Sequence, residues 1–207
     1  MTRRTQEMYI AVLSMILSRA SEIFSIDLAP SLVVTDFELA SINAFKDVFP
    51  DIVIKCCHFH LSQAVIRKVN ELGLKKTFND DVDFSLHIRM LLALAYLPTD
   101  DVPAALEIVR SSMPAIGIPI LQYFDSTYVT GMAPRVTGYN ANRRRALFPP
   151  SLWNVSERFL SDLPTTTNHV EAWHHRLQPL IVINHPALYT CLHKIKQEQR
   201  RTEVQIL

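Results

Sequence analysis

The stretch SLVVTDFELASINAFKDVFPDIVIKCCHFH, residues 31–60, decides the fold. Ser31 to Thr35 is a short β-branched run behind Pro30 and reads as a buried strand ending at Thr35-Asp36. From Phe37 to Val48 the apolar residues Phe37, Ala40, Ile42, Ala44, Phe45 and Val48 fall at helical spacing, and Pro50 stops the run. Ile52 to Cys56 is a second strand. A helix follows from about Leu61 to Leu72, with Gly73 suited to the left-handed residue just past its end. Upstream, Tyr9, Val12, Leu13, Ile16 and Leu17 predict an amphipathic helix. Arg3-Arg4, the apolar residues behind them and Ser18-Arg19-Ala20 imitate a secretion signal. Gln6 and Glu7 break that pattern, so the helix is the preferred reading and the chain is not expected to be secreted. Residues 5–73 thus read α-β-α-β-α, a piece of an α/β sheet with helices packed on it.

Beyond this unit the pattern turns helical. Phe84 to Leu97 is an apolar-faced helix closed by Pro98. Val102 to Met113 is another, with Pro103 in its first turn, where proline is tolerated. Ile116 to Tyr128 forms a third. Residues 129–151 carry Gly131, Pro134, Gly138, Pro149 and Pro150 and predict an irregular connection. Shorter helices are expected at Ser156–Leu163 and Asn168–Leu177, and a last one from Ala187 to about Arg201.

Composition narrows the function. The 207 residues contain 4 glycines, well under the usual ~7%. There is no GxGxxG or GxxxxGKS run, so dinucleotide and P-loop binding lose their usual signatures. Three cysteines, Cys56, Cys57 and Cys191, are too few for a disulfide framework. No apolar run reaches the ~20 residues of a membrane span, and no membrane partner is expected. The formal net charge of +1 hides an asymmetry: residues 135–207 carry net +5 and residues 1–134 net −4. A basic final third suits phosphate, and equally suits solvated helix faces.

Three motifs carry candidate chemistry: TDFE at 35–38, CHFH at 57–60 and TNHVEAWH at 167–174. Asp36 sits where a strand gives way to a helix. A carboxylate there holds a metal ion or, as an ordinary alternative, caps the helix. Glu171 lies three residues after Asn168, as in a capping box, and shares a helix face with His174 and His175, as an acid–base or metal constellation would. Cys57 and His60 have C-x-x-H spacing, half of a zinc site. Arg143, Arg144 and Arg145 form a short cluster whose guanidinium forks suit phosphate oxygens; with His174 they are the candidate nucleic-acid contacts. A cysteine nucleophile at Cys57 lacks any recognisable elbow motif.

Taken in order, these motifs resemble the transposases of Mutator-like elements, the MULE family. The matching segments are TDFELASINAFKDVFPDIVIKCCHFHLSQAVIRKVNELGL (35–74), LFPPSLWNVSERFLSDLPTTTNHVEAWHHRLQ (147–178) and NHPALYTCLHKIKQEQ (184–199). The resemblance implies an α/β, helix-rich fold: an RNase H-like sheet fragment interrupted by an all-helical insertion. It divides the chain into a partial core at 5–75, the insertion and irregular connection at 76–150, and final core helices at 151–207. It implies DDE chemistry, in which three carboxylates hold two Mg²⁺ or Mn²⁺ ions, and a nuclear location with DNA as partner. Asp36 matches the second acidic residue and Glu171 the third, as catalytic and metal-binding groups. Cys57 and His60 match the family's C-x-x-H motif, with zinc as a further candidate ion.

The sequence departs from the family in two places. The first catalytic Asp belongs on a strand upstream of the first helix, and the chain begins at that helix. Asp27, in a loop before the Asp36 strand, is a poor substitute. The family's TNN is here Thr167-Asn168-His169. The resemblance therefore implies a truncated catalytic domain lacking its amino-terminal strands and inactive by itself. Two other readings are a non-catalytic DNA- or protein-binding module of the same fold, and an unrelated helical scaffold.

Overall fold

A computed structural model describes residues 4–131 and 145–161, together with Tyr189, His193, Lys194, Lys196, Gln197, Gln199 and Arg200. The chain divides into two compact units, Met1–Thr166 and Thr167–Leu207. In the second, the described residues are helical. The first unit opens with α1 (Gln6–Phe24), β1 (Leu32–Thr35), α2 (Leu39–Val48), β2 (Val53–Cys56) and α3 (His58–Glu71), the order expected for residues 5–73. The two strands are parallel, with Leu32 opposite Val53 and Thr35 opposite Cys56. A parallel pair needs a crossover, and α2 supplies it.

Each boundary has a local cause. Thr5 caps α1, its hydroxyl accepting the Met8 N–H at 3.4 Å. The helix ends at Ser25, which takes a left-handed φ of 53°. After α3, Gly73 takes φ 72° with nothing near the place its Cβ would occupy. Its amide donates to Asn70 and the Leu74 amide to Val69, closing the helix end. Relative to expectation, α3 begins three residues early, at His58. The Cys57 amide still bonds Thr35 O at 2.8 Å across the sheet, while the Cys57 carbonyl already accepts the Leu61 amide. One residue joins both ladders, so no loop separates strand from helix.

A helical layer follows: α4 (Lys75–Asp80), α5 (Val82–Ala93), α6 (Val102–Ser112) and α7 (Ile118–Phe124), the last running into a single wide π-turn at Asp125–Val129. The expected helix at Phe84–Leu97 tightens into a 3₁₀ turn at Leu94–Tyr96, ahead of Pro98. Beyond 145 come α8 (Pro150–Trp153) and α9 (Ser156–Leu160).

The core is one continuous cluster. α3 contributes Leu61, Val65 and Val69 at i, i+4, i+8, and α5 contributes Phe84, Ile88 and Leu91, all essentially inaccessible. Ile54 of β2 joins them, as do Trp153 and Val155 from the far end of the unit. By contrast α1 packs along α2 without burying a single residue. Val12, Met15, Ile16 and Ile23 stay at least half exposed. Among the described residues the sheet stops at two strands, and no helix is long and apolar enough to cross a membrane.

The start of α5 offers a direct test of capping. Asp81 accepts the Phe84 amide at 3.0 Å and sets the angle at which Phe84 enters the core. Asp81→Ala is expected to cost about 1 kcal/mol. Urea denaturation checks it, and an unchanged midpoint would contradict it.

Candidate functional site

Because β1 and β2 are parallel, their carboxyl ends share one edge of the sheet. Open α/β sheets bind ligands at that edge. Asp36 follows β1 there, and Cys57 follows β2. The Asp36 carbonyl is held three ways. It accepts the Thr35 hydroxyl at 2.9 Å, the Glu38 amide at 2.9 Å and the Cys56 thiol at 3.9 Å. The next residue, Phe37, sits edge-on to Tyr128 and Phe148 with ring centroids 5.5 and 5.1 Å away. The backbone at Asp36 is therefore fixed from both sides, while its side chain remains 58% exposed.

Capping is not what Asp36 does. The cap position of α2 is Glu38, and it makes no side-chain cap bond. Glu38 instead accepts the Tyr9 hydroxyl at 3.1 Å and lies 3.6 Å from the Arg4 guanidinium. Burial, and then the Glu38 contact, push the Tyr9 phenol up. The Asp36 carboxylate turns the other way, with Oδ1 3.0 Å from Nδ1 of His60. The structure thus separates the helix start from the carboxylate that sequence spacing tied to it.

The C-x-x-H pair divides its work. Cys57 is wholly inaccessible at the cap position of α3. His60, on the first turn, reaches the Asp36 carboxylate. Neighbouring His58 is half-buried, edge-on to Tyr96 at 5.1 Å, with Nε2 3.5 Å from Leu92 O. Burial pulls its basicity down. Burial also raises the Cys56 thiol to about 12. Cys56 is thereby a protonated packing group, and buried Cys57 offers no access to a substrate carbonyl.

Arg158 was invisible to sequence reasoning. It is 3% exposed on α9 and donates from a terminal nitrogen to Cys56 O at 3.2 Å. Burial lowers its basicity, against the favourable influence of Cys57 and then Cys56. A guanidinium thus ties the last described helix of the first unit to the end of β2. No periodic signal in the segment 147–178 marked it.

Hard carboxylate oxygens at Asp36 fit Mg²⁺ or Mn²⁺. Among the described residues no three His, Cys, Asp or Glu side chains gather as a metal cage, and Cys57 with His60 gains no third ligand. Glu171, His174, Arg143 and Arg144 lie outside the described residues. Arg145 lies within them and is exposed.

The family model of the MULE transposase domain matches residues 1–64. That segment runs from α1 through the strand pair to the first turns of α3, and it contains both Asp36 and His60. No curated protein matches the chain. No solved structure matches it either.

Proposed function

We propose, for a chain whose residues 1–64 carry a MULE-type transposase relationship, that it forms part of a metal-dependent DNA-processing domain of DDE type. The observation that supports this best is the placement of Asp36. It is an exposed carboxylate on a rigidly held backbone, at the carboxyl edge of a parallel β-α-β unit, inside the matched segment. On this reading the strand pair belongs to an RNase H-like sheet with further strands on its amino-terminal side. Residues 76–150 interrupt that core, and Glu171 is the second carboxylate present.

Each residue then has a task. Asp36 and Glu171 hold the divalent ions, through hard anionic oxygens. Ions held in this way stabilise the attacking and leaving oxygens of a phosphodiester. Arg143, Arg144, Arg145 and His174 contact the DNA backbone, where guanidinium forks match phosphate oxygens. The nuclear location follows from that substrate.

Asp36, inside the matched segment, and Glu171, assigned by resemblance alone, are two of the three carboxylates that such a site uses. The 207-residue chain by itself is accordingly expected not to cut DNA. The test is nicking of supercoiled DNA by the purified chain in Mg²⁺ or Mn²⁺. Strong cleavage that disappears in Asp36→Ala would overturn the inactivity while supporting Asp36 as the metal ligand. Cleavage indifferent to Asp36→Ala would overturn the site itself.

A further inference from the structure

We propose that two copies of this chain pair through the free edge of β1, forming one four-stranded sheet in the order β2-β1-β1′-β2′, where primes mark the second copy. The proposal describes the 207-residue chain by itself and does not rest on the metal reading of Asp36.

The edge is open and its groups alternate. The carbonyls of Ser31 and Thr35 accept the Val53 and Cys57 amides. In a strand every second residue turns its backbone to the same neighbour. Val33 therefore also faces β2, while Leu32 and Val34 face away. Among the described residues no hydrogen bond reaches the backbone of Leu32 or Val34 from outside the strand pair. Their N–H and C=O groups are offered outward, and an extended backbone is what meets donors and acceptors in that alternation. Nothing guards the edge. Residues 31–35, SLVVT, hold no charge and no proline, the devices that keep edge strands apart.

A second copy fits this edge in one register. Antiparallel pairing about a two-fold axis at Val33 sets Leu32 of each copy opposite Val34 of the other. Each such pair exchanges both of its N–H···O bonds, so every outward group of the strand finds its complement in the same strand. The register also sets the Leu32 and Val34 side chains side by side, a favourable cross-strand pair. The assembly stops there. Cys56 turns its carbonyl to the far edge of β2, where it accepts Arg158 at 3.2 Å, and α8 lies against that strand with Lys55 Nζ on Ser151 O at 2.9 Å. With β1 alone offering an edge among the described residues, pairing closes as a two-fold dimer and does not run on into a filament. Apolar surface borders the same place. Leu28 and Pro30, which lead into β1, line a groove of about 450 Å³ with Ile16, Phe45 and Phe49. A strand arriving there removes apolar area from water as well as pairing backbone.

The experiment measures the mass of the full chain by sedimentation equilibrium, with circular dichroism confirming that each variant folds. The unaltered chain should be a dimer in equilibrium with monomer. Val34→Pro removes an outward N–H and spares every bond to β2, so it should weaken the dimer by about 10–100-fold. Leu32→Lys sets a charge on the edge and should weaken it to a similar extent. Val33→Cys should crosslink under mild oxidation, because the non-hydrogen-bonded pair at the axis brings the two Cα atoms to about 4.5 Å. Ser31→Cys, which lies opposite Thr35 of the other copy, should crosslink no more than the unaltered chain. A chain that is monomeric at every concentration would overturn the proposal. A dimer that keeps its strength in both Val34→Pro and Leu32→Lys would place the contact elsewhere and overturn it as well. So would species that grow past the dimer with concentration, or crosslinking at Ser31→Cys in place of Val33→Cys.

Discussion

Trp153→Ala should unfold the first unit more readily than any other substitution of a described residue, at a cost of about 3–5 kcal/mol. Trp153 is wholly inaccessible, and its ring meets Phe124 edge-on at 5.7 Å. The indole N–H does more than fill space. It donates to Tyr128 O at 2.9 Å and to Phe148 O at 3.0 Å. Those two carbonyls flank the segment between 129 and 147, whose ends are also joined by the Phe148 amide on Thr127 O at 3.0 Å. One donor therefore staples both ends of the connection. Alanine leaves a large cavity and two carbonyls without their donor. Trp153→Phe keeps most of the volume and loses only the donor, so it should cost about 1–3 kcal/mol. Chemical denaturation of both variants separates the two contributions. A Trp153→Ala loss below that of Trp153→Phe would show that packing is not the larger part.

Asn154→Asp should be nearly as damaging, and its damage should depend on pH. Asn154 is 3% exposed. Its Nδ2 donates to Leu97 O at 2.6 Å, while Oδ1 accepts the Ser156 amide at 3.0 Å and the Ser156 hydroxyl at 2.6 Å. Aspartate has the same shape and keeps the acceptor. It replaces the donor with a second oxygen that faces a carbonyl in a buried setting. At neutral pH this should cost about 3 kcal/mol or more. Burial and the opposing carbonyl both favour the protonated acid, so the folded-state value of the new group lies above its unfolded value of about 3.9. Between those values the folded chain binds more protons than the unfolded one, and stability falls as pH rises. The variant should thus approach the unaltered chain on acidification and fall away from it as pH climbs. Denaturation midpoints measured against pH decide it. A constant difference between the two chains would mean that the new carboxyl is solvated.

These two residues also show how far the sequence could be read. Trp153-Asn154 was legible as part of a family-like pattern, but as letters only. Its work, joining Tyr128, Phe148 and Leu97, depends on which distant carbonyls lie opposite, and no periodicity encodes that. The β-α-β unit was legible because each element carries its own signal: β-branched runs, helical spacing, Pro50 as a stop and Gly73 with its positive φ. α4 was missed because six residues with no buried member leave no apolar stripe. The early start of α3 was missed because His58 and Phe59 look like loop residues until the Cys57 amide is seen completing the sheet. Asp36 was correctly singled out as a strand-end carboxylate, yet the cap that competed for it belongs to another residue. The local rule that Asp favours caps yields here to a partner 24 residues away in sequence. Parallel pairing alone would have put Asp36 and Cys57 on one edge. The further step to His60 needed the helix to begin at once.

The ties that settle the Asp36 edge come from late in the chain. Phe37 rests on Phe148, Lys55 donates to Ser151 O at 2.9 Å, and Cys56 O receives Arg158. During synthesis the strand pair leaves the ribosome long before any of these partners exists. Contacts so distant in sequence are slow to close, and the surfaces awaiting them are exposed in the meantime. The carboxylate at position 36 is made early and placed last. A chain released before Arg158 would carry the residue without the setting that gives it a direction.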